Sequence, residues 1–111
     1  MSYKILFKQK DFLNLYSKII LKIELQLDNY IGKKNLDYDN NYDTFSIFIE
    51  NKKIIVLNKR ENLKQIWMAT TKTGYHFSFI KGIWICIRNK VEFWYILNKE
   101  LRIALKGDID I

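Results

Sequence analysis

The chain has 111 residues, long enough for one modest core and too short for two, so a single domain spanning residues 1–111 is expected. Its 19 lysines and arginines against 12 acids give a net charge of +7, which ordinarily points to nucleic acid or an anionic membrane. Lysine far outnumbers arginine, however, Ile, Asn, Tyr and Phe are abundant and proline is absent, a pattern that AT-rich coding produces without selection for a ligand. The lone Cys86 excludes an intramolecular disulfide, a zinc cluster and a CxxC redox pair. No apolar run approaches the roughly 20 residues that span a bilayer, and the N-terminal stretch lacks the marks of a leader, so a cytoplasmic protein without a membrane partner is expected.

From Asp11 to Ile31, apolar side chains recur at Phe12, Leu15, Tyr16, Ile19, Ile23, Leu27 and Tyr30, the spacing of one helical face. Gly32 followed by Lys33 and Lys34 reads as its stop, with cations beside the negative end of the helix dipole.

The period then changes to two. Leu36 to Asn40 fits a short edge strand, and Phe45, Ile47 and Ile49 alternate with Thr44, Ser46, Phe48 and Glu50. A turn at Asn51-Lys52 leads into a strand over 53–58. Strands at 65–70, 75–79 and 84–87 follow, separated by turns ending in Gly74 and at Lys81-Gly82. Five or six consecutive strands form an antiparallel meander. Asn89, with Glu92 three residues on, reads as the cap of a last helix whose stripe is Trp94, Leu97, Leu101 and Leu105. The order predicts an α+β fold, a two-layer α/β sandwich with both terminal helices on one face of a single antiparallel sheet.

That arrangement leaves the second sheet face open to water. If Ile66 and Met68 point to the helices, then Gln65, Trp67 and Ala69 point away, which places a tryptophan where polar residues belong. Either Trp67 is an anchor for a partner, or a bulge or covering neighbours hide the indole.

The segment Ile54 to Thr70, then Gly74-Tyr75-His76-Phe77 and Trp84-Ile85-Cys86, resembles the central signature of the bacterial frataxin family, the CyaY proteins. The likeness runs from about Asp11 to Leu101, with Asn62 standing where many members carry proline. The resemblance implies the same two-layer sandwich and a non-enzymatic accessory role in iron–sulfur cluster assembly. It further implies a cysteine desulfurase and an iron–sulfur scaffold protein as partners, and Trp67 on the docking face with Asn58 and Gln65 beside it. It also implies weak iron binding through an acidic ridge on the first helix and edge strand.

Iron of this kind needs hard oxygen ligands. Glu24 and Asp28, four apart, share a helix face, and Asp37 and Asp39, two apart, share one side of a strand. The ridge is sparse, because positions that are acidic in many family members read Leu25, Asn29, Ile31, Lys33, Lys34 and Asn35. Each acid lost weakens such a site and each lysine gained opposes it, so feeble iron binding is expected.

His76 has no second histidine or nucleophile beside it and reads as a structural or surface residue, and Cys86 between two isoleucines as a small buried hydrophobe. With no phosphate loop, Ser/His/Asp set or HExxH motif, an enzyme is not expected. The competing readings are a metal-independent protein-interaction domain and a basic nucleic-acid-binding module, which lacks the element order and aromatic signature of an RRM. A monomer is expected.

Overall fold

A computed structural model describes residues 7–107, 109 and 111. The first apolar stripe becomes α1, Gln9–Asp28, which buries Phe12, Tyr16, Ile19, Ile20, Ile23 and Leu27. It starts two residues before the expected Asp11. Lys8 is the N-cap, and the Asp11 carboxylate accepts a hydrogen bond from its N–H at 3.2 Å, one half of a capping box. It also ends early, at Asp28, with Asn29 as the C-cap. Gly32 is therefore not the stop. The Tyr30 ring lies back against it, and a Cβ there would overlap the phenol.

Seven antiparallel strands follow in sequential order: β1 (Leu36–Asn41), β2 (Thr44–Ile49), β3 (Lys52–Arg60), β4 (Gln65–Ala69), β5 (Gly74–Ile80), β6 (Ile83–Cys86) and β7 (Val91–Glu92). The additional strand is β7, which pairs Cys86 with Val91 and Ile85 with Glu92 where a helix cap was expected. The turn between β2 and β3 is Glu50-Asn51, one residue earlier than predicted. Both residues have positive φ (54° and 66°), and Ile49 faces Lys52, the primed geometry that matches strand twist. Lys81-Gly82 closes the next tight hairpin the same way, with φ of 51° and 83°.

The last helix, α2 (Phe93–Leu105), is capped by Glu92 rather than Asn89, its carboxylate accepting from the Tyr95 N–H at 3.3 Å. Its end adopts the left-handed conformation at Lys106, and the Gly107 N–H returns to the Arg102 carbonyl at 2.8 Å.

Phe45, Ile47, Ile55, Leu57, Ile66, Met68, Phe77, Trp84 and Cys86 line one sheet face and form one core with α1 and α2. Phe12 of α1 meets Trp84 edge-on at 5.9 Å, and Phe93 of α2 meets Phe77 edge-on at 5.4 Å. These contacts tie both helices to the same side. Each such buried side chain contributes about 1.5–3 kcal/mol of transfer free energy, so the face of the sheet that receives the helices is decided by these residues. The architecture is the α+β two-layer sandwich expected from the element order, and among the described residues no helix covers its second face.

Candidate functional site

Ile66 and Met68 are fully buried in the core, so alternation sends Gln65, Trp67 and Ala69 to the open face. The register does not slip in β4. The irregularity of the sheet lies between Ile47 and Phe48, where β2 meets β3. Trp67 is nevertheless only half-buried rather than freely exposed, because its neighbours cover it.

Pairing explains which neighbours do so. Asn58 of β3 and His76 of β5 stand directly opposite Trp67, and one step along Arg60 and Ser78 flank Gln65. Directly opposed and diagonal side chains on one face of a sheet come within reach of each other. The Arg60 guanidinium lies 3.9 Å from the Trp67 ring centroid. From the other side the His76 ring stacks at 3.9 Å with an interplanar angle of 9°. The indole Nε1–H donates to Gln65 Oε1 at 2.8 Å, and Gln65 Nε2 donates to Ser78 Oγ at 3.1 Å. Asn58 Nδ2 donates to Thr44 Oγ1 at 3.3 Å, which extends the polar array towards β2.

The sequence-predicted residues Trp67, Asn58 and Gln65 are thus brought together on one face. Two grooves border the stack. One, of about 370 Å³, runs past Val56, Asn58, Arg60 and Trp67, and the other, of about 200 Å³, lies between Gln65, His76 and Arg88. Sequence reasoning missed Arg60 altogether and read His76 as an isolated histidine. The signal that finds them is the strand register, since Arg60 and His76 follow from the positions of Gln65 and Trp67 once β3, β4 and β5 are aligned.

The four carboxylates expected at the ridge are divided by the edge strand. Tyr38 and Asn40 face the helix side, opposite Ile47 and Phe45, and engage α1: Tyr38 Oη donates to Asp28 at 2.8 Å and Asn40 Nδ2 donates to Glu24 at 3.1 Å. Asp37 and Asp39 stand opposite Phe48 and Ser46, on the other side of the strand. The Asp28 hydrogen bond, with a smaller contribution from burial, pushes the Tyr38 phenol up to about 12. Lys34 lines the same hollow as Asp28 and Asp37. Among the described residues no three His, Cys, Asp or Glu side chains gather to hold a metal ion. The oxygen donors suit a hard cation in kind; Asp28 and Asp37 border one hollow, while Glu24 and Asp39 do not line it.

Burial, then the nearby Asp43 charge, pushes the Tyr16 phenol up to about 12. The Lys59 ammonium lies over the Tyr16 and Tyr42 rings at 5.5 and 4.9 Å. Cys86 is a buried free thiol. No helix is long and apolar enough to cross a membrane among the described residues.

The chain and its fold are similar to those of known proteins. The family profile of the frataxin-like domain matches residues 6–107. The iron–sulfur cluster assembly protein CyaY of Buchnera aphidicola subsp. Baizongia pistaciae is 38% identical over 93 residues, covering 84% of this chain and 79% of the relative. The frataxin of Psychromonas ingrahamii superposes with a TM-score of 0.80 at 28% identity, over 93% of this chain and 96% of that one. A trimeric yeast frataxin from Saccharomyces cerevisiae, complexed with ferrous iron, shares the fold with a TM-score of 0.60 at 22% identity, over 89% and 86% of the two chains.

Proposed function

The chain belongs to the frataxin-like family, and from that premise we propose that it is a non-catalytic accessory protein of iron–sulfur cluster assembly that docks on a cysteine desulfurase and its scaffold protein through the open sheet face. Support comes from relatives named for that pathway. The observation that carries the docking reading is the Arg60–Trp67–His76 stack, held by Gln65 on a face that no helix covers among the described residues. A large amphipathic ring fixed in place loses little conformational freedom on binding, which is why tryptophan is enriched at interface hot spots.

Iron enters this function as cargo. Glu24, Asp28, Asp37 and Asp39 are the groups that would receive it, through carboxylate oxygens suited to a hard ion. Two of them already accept hydrogen bonds from Tyr38 and Asn40, and Lys34 lines the hollow that Asp28 and Asp37 share, so affinity is low. The competition from Tyr38, Asn40 and Lys34 favours a second reading, an interaction domain that works on the assembly complex without iron.

One experiment separates them. The purified desulfurase–scaffold complex is titrated with wild type and Trp67→Ala, with and without ferrous iron. The docking reading expects wild type to bind and the variant to lose affinity while staying folded; no association by wild type refutes it. Iron-independent binding, together with no saturable iron uptake that the Glu24, Asp28, Asp37 and Asp39 alanine variant alters, selects the iron-free reading.

A further inference from the structure

Resting on the docking reading of the Trp67 face, we propose that the groove beside His76 receives a carboxylate side chain of the protein partner, so that this surface selects an acidic segment. The reasoning begins with the direction of a hydrogen-bond chain. An indole N–H can only donate, so Gln65 must turn its oxygen to Trp67 at 2.8 Å and its nitrogen to Ser78 Oγ at 3.1 Å. Ser78, having accepted, has its own O–H left to donate, and it lines the groove of about 200 Å³ together with His76 and Arg88. Each bond in such a chain polarises the next, which strengthens the terminal donor.

The groove therefore presents a hydroxyl, an imidazole and a guanidinium, and among its described lining residues there is no carboxylate. Arg60, on the far side of the Trp67 stack, adds a second cation to the same face. Guanidinium donors match the planar geometry of a carboxylate in particular. The border of the site favours a protein over a nucleic acid. Ile87, just past β6, lines the groove and is 58% exposed. An apolar border beside a few directed donors is the anatomy of a protein interface, whereas a phosphate backbone calls for a track of cations.

The test uses two probes. The first is the purified desulfurase–scaffold complex, measured against Arg88→Glu, Arg88→Lys and Ser78→Ala, each checked for native circular dichroism. Arg88 is exposed, so its variants are expected to fold. Arg88→Glu should weaken association about tenfold or more, Arg88→Lys only a few-fold, and Ser78→Ala should fall between them. If wild type binds through Trp67 and Arg88→Glu binds equally well, the carboxylate proposal is overturned while the docking reading stands. The second probe needs no partner: a capped tetra-aspartate peptide followed by NMR, with tetra-lysine and inorganic phosphate as controls. Shifts at His76, Ser78 and Arg88 with the aspartate peptide alone support the proposal, and shifts with phosphate alone, or with none of the three, refute it even where the docking reading has itself failed.

Discussion

Replacing Trp67 with alanine separates its two roles quantitatively. The substitution removes the hydrogen bond to Gln65, about 1 kcal/mol, and the contact with the Arg60 guanidinium, about 0.5–1 kcal/mol for a half-exposed pair. It also removes the parallel stack with His76, about 0.5–1.5 kcal/mol. These terms share one ring and do not add fully, so the expected loss is about 2–3 kcal/mol of folding stability. A domain of this size holds about 5–15 kcal/mol, so the variant stays folded at neutral pH. Association with the desulfurase–scaffold complex then falls by a further 2 kcal/mol or so, the scale of an interface hot spot. Urea unfolding followed by far-ultraviolet circular dichroism gives the first number, and a double-mutant cycle with Arg60→Gln isolates the coupling, expected at about 0.5–1 kcal/mol. Loss of cooperative unfolding, or destabilisation beyond about 4–5 kcal/mol, would show that the ring acts as core. A change under about 0.5 kcal/mol would show that the stack does not form in solution.

Lys81 occupies the left-handed region ahead of Gly82, and Lys81→Asn creates the favoured Asn-Gly turn, so its thermal midpoint should rise by the equivalent of about 0.5–1 kcal/mol. The Tyr38 phenol, held up to about 12 against an ordinary value of 10.0, keeps its proton in the folded state between those values while the unfolded chain loses it. Stability should accordingly fall as pH rises through that window, less steeply in Tyr38→Phe, and Asp28→Asn should bring the phenol's ultraviolet titration back towards 10.0. Buried Cys86 should react with a thiol reagent only at the rate of unfolding; fast native-state labelling would contradict its place in the core. If iron is carried, Asp28→Asn and Asp37→Asn, whose residues border one hollow, should each weaken uptake in calorimetric titration, and unchanged uptake in both would refute that hollow as the place it is held.

Local pattern alone determined much of this protein. The helical stripe from Phe12 to Leu27, the alternation through Phe45, Ile47 and Ile49, and the stripe from Leu97 to Leu105 each reflect a periodicity set by backbone geometry, and their order leads to a two-layer sandwich with one bare face. Alternation around Ile66 and Met68 also put Trp67 on that face. Element ends were less legible, because caps depend on where neighbours leave room. Gly32 accommodates the Tyr30 ring instead of ending α1, and Glu92 rather than Asn89 caps α2 because β7 pairs first. The site itself was decided by tertiary structure. Which residues flank Trp67 depends on the register of β3 against β4 and β4 against β5, and register is a property of paired strands rather than of any one of them. For the same reason, within the ridge that the family resemblance implied, Asp37 and Asp39 alternate with Tyr38 and Asn40, the residues of β1 that engage α1, while Arg60 and His76, distant in sequence from each other, meet on either side of one indole.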